Sequence, residues 1–479
     1  MNIAAAADHP LLLAGSPHET GNWAEVPSPY DGNQVGRVAV GDEALVDEAA
    51  RAAHTAFAEG GFPQHERAAV LERAAALVAE RAELLALTIA LEAGKPVKTA
   101  TVEARRCAET LRFSAVEARK LSGGTVPMDA SPAGEGKLGV MLRVPYGVVG
   151  AISPFNFPLN LVAHKLGPAI AAGNAVVLKP AGQTPISALQ LAGILCEAGL
   201  PKGWLSVIPG PGRSVGDAIV SHPLTRAITF TGSAPVGWGI RSAVPDKKVS
   251  LELGSNAPLI VDADGDWETA ADKARIHAFS HAGQSCISIQ RILVHREIAE
   301  PFTERLLAGI ATLKVGDPLD PNTDVGPLIT PGDRDRVKDW IEEAVAAGAE
   351  LLCGGDLVDS GRCLAPTVLG SPPKDQKVWR EEIFGPVATL DEFSDFDQAL
   401  QMANDSKFGL QAGVFTRDLA KALEAAQTLE FGAVLVNEVP TFRADQQPYG
   451  GVKESGNTRE GPAYAIQELT EERFITLQG

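Results

Sequence analysis

Short apolar strands alternate with helical runs from residue 138 onward, and this alternation restricts the possible folds more than any other feature. Parallel strands need long crossover connections, which helices usually supply, so the order predicts an α/β fold with helices on both faces of a parallel sheet. The alternation resumes after residue 286 and continues to about residue 437, which predicts a second α/β unit. The strands of the first unit are predicted at 138–144, 147–153, 174–180, 205–210, 227–232 and 249–254.

The chain before this region has a helical pattern instead. Helices are predicted over 42–59, with Asp42 as the N-cap, over 64–93, ending at Gly94, and over 98–121. A loop-like stretch then separates these helices from the strands. At about 150 residues per domain, a chain of 479 residues predicts roughly two to four domains.

Composition and charge exclude several classes of protein. Apolar residues make up 45% and charged residues 21%, which is typical of globular chains. The 60 acidic residues outnumber the 42 basic ones, so the net charge of -18 argues against nucleic acid as a partner. An uncharged window at 146–163 contains two prolines and two asparagines, which favour a buried strand and a polar loop over a membrane span.

The cysteines indicate a reducing compartment. Five are present, at positions 107, 196, 286, 353 and 363, and they form no CxxC pair, so neither a disulfide framework nor a metal site is expected. The N-terminal segment 1–15 lacks a basic region and a long apolar run, so it is not interpreted as a signal peptide. We therefore expect a cytoplasmic protein.

Cys286 occupies a junction that suits a nucleophile. A helix is predicted over 267–281 and a β-branched strand over 287–294, so the cysteine lies in a short loop between two rigid elements. Cysteine is also among the most buried residue types, and an isolated cysteine at a helix–strand junction belongs to the core far more often than it is a catalyst. Taken alone, Cys286 could therefore be either a catalytic nucleophile or a core residue.

Two glycine-rich junctions could hold a nucleotide. GPGRSVG (210–216) follows a strand but is one residue longer than the dinucleotide fingerprint GxGxxG. FTGSAPVG (230–237) places Gly232 and Ser233 at a possible helix N-terminus, where free N–H groups favour a pyrophosphate. Each could be only a tight turn, although two such junctions on neighbouring strands favour a nucleotide crevice.

Seven motifs in order give the chain a resemblance to the aldehyde dehydrogenase superfamily over nearly its whole length. It is nearest to the non-phosphorylating, hydrolytic branch, which includes lactaldehyde, semialdehyde and non-phosphorylating glyceraldehyde-3-phosphate dehydrogenases. The motifs are PFNFP (154–158), LKP (178–180), FTGS (230–233), LELGSNAP (251–258), GQSC (283–286), EEIFGPV (381–387) and PYGGVKESG (448–456).

The resemblance implies three structural parts and a homo-oligomer. A Rossmann-like cofactor-binding domain would comprise 1–121 and 144–253, and a catalytic domain would comprise 254–452. A small β oligomerisation arm with the C-terminal tail would comprise 122–143 and 453–479. The expected assembly is a homodimer or homotetramer, with a small-molecule aldehyde as the other partner.

The resemblance also assigns the catalytic residues. Cys286 would be the nucleophile, Glu252 the general base, and Asn156 an oxyanion donor together with the backbone N–H of Cys286. A thiolate adds to the aldehyde carbonyl, and the resulting oxyanion needs preorganised donors. After oxidation leaves a thioester, a carboxylate must activate the water that hydrolyses it.

The implied cofactor is NAD or NADP. Relatives that prefer NAD often carry an acid three positions after the motif lysine, whereas this chain has Gly182 after Lys179. Nothing obvious then repels a 2′-phosphate, which favours NADP or dual use. By resemblance, the cofactor would contact Ser153, Pro154, Lys179, Gly182, Gly210, Phe230, Gly232, Ser233, Val236, Leu253, Gly254, Glu382 and Phe384.

A short polar or anionic aldehyde is the expected substrate. Arg443, in the loop before PYGG, could hold an anionic tail with its planar fork, although it could instead pair with Asp445. Arg112 is a second possible anchor. The remaining substrate contacts are expected from Phe157, Ser285, Ile287 and Phe442.

Two rival functions stay open at this point. In a CoA-acylating dehydrogenase, CoA rather than water takes the acyl group, and Glu252 argues against that chemistry because such relatives commonly lack the acid. The other rival is a non-redox structural protein or thiol esterase on the same fold. The presence of Cys286, Glu252 and Asn156 together argues against it.

Overall fold

The computed structural model describes residues 7–479, so the first six residues of the N-terminal segment lie outside it. No helix within the described range is both long and apolar enough to cross a membrane. The α-helices are α1 (Glu43–Glu59), α2 (Gln64–Glu80), α3 (Ala82–Ala93), α4 (Val97–Lys120), α5 (Asn160–Ala172), α6 (Pro185–Glu197), α7 (Asp217–Ser221), α8 (Ala234–Ala243), α9 (Trp267–His277), α10 (Ala299–Ile310), α11 (Pro331–Ala346), α12 (Lys377–Arg380), α13 (Phe396–Asn404), α14 (Leu419–Thr428) and α15 (Pro462–Glu468).

The strands are mostly short, and many of them are buried. They are β1 (Ala7–His9), β2 (Leu11–Leu13), β3 (Ser16–His18), β4 (Trp23–Pro27), β5 (Gln34–Ala39), β6 (Gly124–Val126), β7 (Lys137–Pro145), β8 (Val148–Ile152), β9 (Ala175–Lys179), β10 (Leu205–Val207), β11 (Thr225–Thr231), β12 (Lys248–Glu252), β13 (Ala257–Val261), β14 (Ile289–His295), β15 (Glu350–Cys353), β16 (Leu357–Val358), β17 (Cys363–Leu364), β18 (Thr367–Gly370), β19 (Val387–Phe393), β20 (Phe408–Gly409), β21 (Gln411–Phe415), β22 (Ala433–Val436), β23 (Val452–Lys453) and β24 (Thr470–Gln478).

Two seven-stranded sheets form the body of the protein, as the strand and helix alternation predicts. The first sheet has the order β12-β11-β8-β9-β10-β2-β3, and its first five strands run parallel. The second has the order β15-β18-β19-β14-β13-β21-β22, with only β15 antiparallel. Residues 253–256 carry the chain directly from the end of β12 to the start of β13. The carboxyl edge of the first sheet therefore faces the amino edge of the second.

The predicted helix over 64–93 is in fact two helices, broken at Arg81. Arg81 has φ -99° and ψ 13°, and its guanidinium binds Glu197 of α6 through two hydrogen bonds of 2.6 and 2.7 Å. The break turns α3 so that it packs against both α4 and α6. This matters because eight of the twelve residues of α3 are buried, so the helix needs neighbours on more than one side.

The strand near 138–144 does not belong to the parallel sheet that the alternation predicts. It is β7, which pairs antiparallel with β6 and β24 in a separate three-stranded arm. β6 and most of β7 lie in 122–143, the range that the resemblance assigns to the arm. Residues 453–469 include α15, which packs on α5, and Ile466 and Leu469 join the core of the first sheet.

Candidate active site

A cavity of about 380 Å³ opens where the two sheets meet. Loops next to both sheets line it, together with Arg336 of α11. Most of the predicted cofactor contacts and two of the three predicted catalytic residues are brought together here. The predicted residues in its lining are Pro154, Asn156, Gly232, Ser233, Leu253, Gly254, Cys286, Glu382 and Phe384.

A strained turn sets the position of Cys286. The predicted helix over 267–281 ends at His277, and a 3₁₀ turn over Ser280–Gly283 follows it. His281 and Ala282 have positive φ values of 51° and 53°, and Gly283 has φ 68°. A Cβ on Gly283 would overlap the carbonyl of Gly385, so only glycine fits there. The strand after the cysteine, β14, begins two residues later than predicted, and Cys286 stays in a loop.

Gln284 fastens this loop to its surroundings. Its side chain is fully buried, donates to the His281 carbonyl at 3.1 Å and accepts from the Ile329 N–H at 2.9 Å. Its backbone carbonyl accepts from Asn156 Nδ2 at 3.0 Å. Asn156 comes from the loop between β8 and α5, so this bond ties the two halves of the site together.

Tyr449 touches the thiol, and the sequence analysis did not single it out. Cys286 Sγ and Tyr449 Oη lie 2.8 Å apart. Burial raises the pKa of the Cys286 thiol to about 12, and the hydrogen bond from Tyr449 opposes that rise. The PYGGVKESG motif contains this tyrosine, so the signal was present, but only the fold shows which atom it meets.

Glu252 lies at the end of β12, close to the cavity but outside its lining. The side chain is buried, and among residues 7–479 neither carboxylate oxygen has a hydrogen-bond partner. Burial and the neighbouring Glu460 raise the pKa of Glu252 well above its usual range, whereas Arg443 and Lys165 oppose the rise. A Cβ on Gly450 would lie 2.7 Å from Oε1, so the glycine leaves room for this carboxyl group.

Glu382 and Phe384 enter the cavity from the segment before β19. Glu382 accepts from the Ser255 N–H at 3.0 Å, and burial raises its pKa to about 7. A Cβ on Gly254 would overlap the Glu382 carboxylate.

Arg336 was missed by the sequence analysis because its helix carries no family motif. It donates to the Ile383 carbonyl at 3.1 Å and lies 4.9 Å from the Trp340 ring.

The carboxyl edge of the first sheet includes a helix N-terminus that no side chain within residues 7–479 caps. β11 runs into Gly232 and Ser233, and then into the ten-residue helix α8, whose first N–H groups receive no side-chain cap from Ser233. A helix N-terminus of this kind attracts anions. A Cβ on Gly182 would meet nothing within 4 Å, whereas one on Gly210 would overlap Val215, so the two glycines differ in surroundings.

Seven predicted cofactor or catalytic residues are not in the cavity lining. The end of β9 places Lys179 near the carboxyl edge, where its Nζ donates to the Pro180 carbonyl at 3.1 Å. Val236 is exposed on α8. The full set outside the lining is Ser153, Lys179, Gly182, Gly210, Phe230, Val236 and Glu252.

None of the predicted substrate residues belongs to the cavity lining either. Phe157 packs under the Lys95 ammonium at 3.6 Å from its ring centre. Arg112 and Phe442 are both about half exposed, and Arg112 is paired with Glu109 on the same helix. The structure therefore gives Arg112 no contact that supports an anchor. The six residues are Arg112, Phe157, Ser285, Ile287, Phe442 and Arg443.

Arg443 is buried beside Tyr449 and does not pair with Asp445, the alternative considered from the sequence. Its Nη2 donates to Glu460 Oε2 at 2.9 Å, and its guanidinium carbon lies 3.7 Å from the centre of the Tyr449 ring. Its Nε is buried without a hydrogen-bond partner in the described part of the chain. Asp445 instead accepts from Arg106, Asn160 and His164.

Comparison with known proteins gives the same family as the motifs. The family model "Aldehyde dehydrogenase family" matches residues 17–475. A 3-sulfolactaldehyde dehydrogenase of Priestia aryabhattai is 44% identical, and the alignment covers 98% of this chain and 97% of the relative.

Solved structures extend this similarity to the whole fold. An NAD-dependent aldehyde dehydrogenase from Sinorhizobium meliloti is 34% identical, with a TM-score of 0.96 and coverage of 99% of this chain and 96% of the other. The glyceraldehyde-3-phosphate dehydrogenase GapN of Methanocaldococcus jannaschii, complexed with NADP, is 36% identical, with a TM-score of 0.91 and coverage of 95% and 99%. The chain therefore belongs to the aldehyde dehydrogenase family, and it oxidises an aldehyde to the carboxylic acid with NAD or NADP as the oxidant.

Proposed function

We propose that this enzyme oxidises a short 2-hydroxyaldehyde with an anionic tail, through a thioester on Cys286 that water hydrolyses. The observation that carries the substrate class is Arg443. Arg443 lies outside the cavity lining, but Tyr449 contacts both its guanidinium and the thiol, and the buried Arg443 Nε–H has no partner within residues 7–479. A buried donor without a partner is costly, so an oxygen of the substrate would be stabilised there.

Two relatives support this substrate class. One is named for 3-sulfolactaldehyde and the other for glyceraldehyde 3-phosphate. Both compounds are three-carbon aldehydes with a hydroxyl group at carbon 2 and an anionic group at carbon 3. We infer that the substrate of this chain has the same pattern, with a sulfonate, phosphate or carboxylate as the anion.

The residues around the thiol fit the first chemical step. Cys286 adds to the aldehyde carbonyl, and the Asn156 amide and the Cys286 N–H donate to the oxygen that gains charge. Asn156 already points at the Cys286 loop, because it binds the Gln284 carbonyl at 3.0 Å.

The cofactor edge fits a nicotinamide dinucleotide. The N-terminus of α8, with Gly232 and Ser233, would hold the pyrophosphate, and Glu382 would accept from ribose hydroxyl groups. When bound, the nicotinamide accepts the hydride that the adduct on Cys286 loses. Glycine at 254 keeps Glu382 in place, since any side chain there would displace its carboxylate.

Hydrolysis of the thioester is the proposed work of Glu252. A buried carboxyl group with a raised pKa is a good general base once it has lost its proton, because its basicity is higher than that of an exposed acid. The presence of this group favours water over CoA as the acyl acceptor. Adding CoA to the assay tests the rival directly, since an acyl-CoA product would contradict the hydrolytic proposal.

Steady-state kinetics of Arg443→Ala test the substrate class. We expect the preference for 3-sulfolactaldehyde over neutral lactaldehyde, measured as the ratio of kcat/KM values, to fall about tenfold, or by about 1.4 kcal/mol. The matched control is Arg119→Ala, which removes an exposed arginine of α4 paired with Glu72. An unchanged ratio, or a wild type that prefers long apolar aldehydes, would contradict the proposal.

We also propose that the arm makes a homodimer or homotetramer. Its exposed apolar side chains are too many for an isolated surface. Leu138 and Leu477 lie opposite each other in the β7–β24 ladder. Replacing both with Glu should disrupt the assembly and lower the molar mass that light scattering measures. Leu419→Glu, on exposed α14, should leave it unchanged. The exposed residues of the arm are Val126, Leu138, Leu142, Phe474, Ile475 and Leu477.

A further inference from the structure

The mechanism above leaves one polar group at the thiol without a role, the phenol of Tyr449. Its side chain is buried, and within residues 7–479 its hydroxyl has a single hydrogen-bond partner, Cys286 Sγ at 2.8 Å. Ile287 and Leu410 pack with the ring in a small apolar cluster. The backbone of Tyr449 is tied to Glu460 by two hydrogen bonds, of 3.1 and 2.6 Å. The hydroxyl is therefore held at the sulfur by a rigid surround.

We propose that Tyr449 is a further catalytic residue, whose phenol donates a hydrogen bond to the Cys286 sulfur and stabilises the thiolate that attacks the aldehyde. This inference rests on the proposed role of Cys286 as the nucleophile. The thiol loses its proton to solvent, and the phenol keeps its own. No bond other than the S–H bond changes in this step.

When one of the two groups ionises, we expect the thiol to lose its proton and the phenol to keep its own. A thiol ordinarily ionises about 1.5 pH units below a phenol. Tyr449 is buried, whereas Cys286 is only partly buried and lines the cavity, so burial disfavours ionisation of the phenol more than that of the thiol. Burial and the adjacent sulfur raise the pKa of Tyr449 well above its usual value, which keeps the phenol protonated when the thiolate forms.

The other charges near the thiol act in both directions. Glu382 and Glu252 raise the pKa of Cys286, whereas Arg443 lowers it. The Arg443 guanidinium also lies against the face of the Tyr449 ring, at 3.7 Å from its centre. A cation on that face draws electron density from the ring and makes the O–H a stronger donor. Tyr449 and Arg443 thus oppose the burial and the two carboxyl groups that disfavour the thiolate.

Alkylation of Cys286 in Tyr449→Phe tests the inference without any aldehyde. Iodoacetamide is neutral and small, and mass spectrometry of the Cys286 peptide gives its rate between pH 7 and 9. We expect the variant to react about tenfold more slowly at each pH, which corresponds to a rise of one unit in the thiol pKa. The partly buried Cys196 and Cys353 serve as internal standards, and their rates should not change.

Tyr146→Phe is the matched control, since it removes a partly buried phenol that packs on the core of the first sheet. It should leave the Cys286 alkylation rate at the wild-type value. Equal rates in wild type and Tyr449→Phe would overturn the inference. An equal slowing in both tyrosine variants would also overturn it, because the effect would then be general loosening of the protein.

Rapid kinetics with 3-sulfolactaldehyde then separate a catalytic role from a structural one. In Tyr449→Phe the burst of reduced cofactor should slow about tenfold, and thioester hydrolysis, which expels the same thiolate, should slow by no more than that, while the dissociation constant of the cofactor keeps its wild-type value. A burst at the wild-type rate, or a matching loss of cofactor affinity, would overturn the inference. Failure of the proposed function has a different signature, namely a wild type that produces no reduced cofactor with this aldehyde.

Discussion

The two seven-stranded sheets supply their active-site groups from opposite edges. In the first sheet these groups follow strands: Ser153 follows β8, Gly232 follows β11, and Glu252 ends β12. In the second sheet they precede strands, with Cys286 before β14 and Glu382 before β19. The site lies between a carboxyl edge and an amino edge because the short link 253–256 joins one sheet directly to the other.

The usual rule for finding ligand sites in parallel sheets applies to only one of these two edges. Ligands of open parallel sheets usually bind outside the carboxyl ends of the strands, and that rule agrees with the proposed position of the cofactor. It does not locate the thiol or Glu382, which lie at the other kind of edge. The carboxyl edge of the first sheet offers backbone N–H groups and glycines together with Asn156 and Glu252, whereas the amino edge of the second sheet offers the thiol and Glu382. Substitutions of the glycines should therefore change cofactor affinity, whereas substitutions of these side chains should change the chemical steps.

The largest effect is expected at the amino edge of the second sheet. Cys286→Ser should lower kcat by at least about a thousandfold, because a hydroxyl is a poor nucleophile at its normal pKa. Cofactor binding, followed by fluorescence titration, should stay within about twofold of wild type, since the thiol is not part of the phosphate edge. Substantial turnover in this variant would remove Cys286 from the mechanism.

Glu252→Gln, at the carboxyl edge of the first sheet, should block only the second half of the reaction. A burst of about one reduced cofactor per site should precede a steady state slowed on the order of a hundredfold or more. Stopped-flow absorbance of the reduced cofactor gives both phases. Normal steady-state turnover would show that another group activates the water.

The pH dependence of thioester hydrolysis sharpens the same test. Because the pKa of Glu252 is raised by burial, the carboxyl group stays protonated to higher pH than an exposed acid, and a protonated carboxyl cannot accept a proton from water. The hydrolysis rate should therefore fall as the pH drops through a range above the usual value of a glutamate. Single-turnover decay should be flat with pH in Glu252→Gln, and a wild type that is equally flat would contradict the assignment.

Asn156→Ala should have an intermediate effect. Removal of one oxyanion donor typically lowers the rate on the order of a hundredfold, or by about 3 kcal/mol. The loss should appear in the burst phase, because the amide faces the Cys286 loop rather than the phosphate edge. A loss confined to cofactor affinity would contradict the assignment of Asn156 as an oxyanion donor.

The smallest effect is expected at Gly182, in the cofactor edge. A side chain there meets open space, so Gly182→Glu should fold and should weaken NADP about tenfold more than NAD by charge repulsion. Dissociation constants for both cofactors measure this ratio. Gly193→Glu adds the same charge on α6, where a Cβ also meets open space, and should leave the ratio unchanged.

Much of the architecture could be predicted from local pattern. The strand and helix alternation gave both parallel sheets, and signals at single residues gave several helix ends. Asp42 caps α1 through its bond to the Leu45 N–H, and Gly94 ends α3 in the left-handed conformation. These features depend on neighbours a few residues away, so the sequence contains them directly. The break at Arg81 was missed because no Gly or Pro marks it; beside it, Arg81 pairs with Glu197, which is 116 residues away.

The sequence by itself determined the family, the reaction and the identity of the groups that could perform it, because motifs in a fixed order carry that information. Only the tertiary structure decided which atoms meet. It paired Arg443 with Glu460 rather than Asp445, and it set the Tyr449 phenol on the Cys286 sulfur. Each of these contacts joins segments that are distant in the chain or compete for one partner. Their outcome depends on packing and burial, which no local pattern specifies.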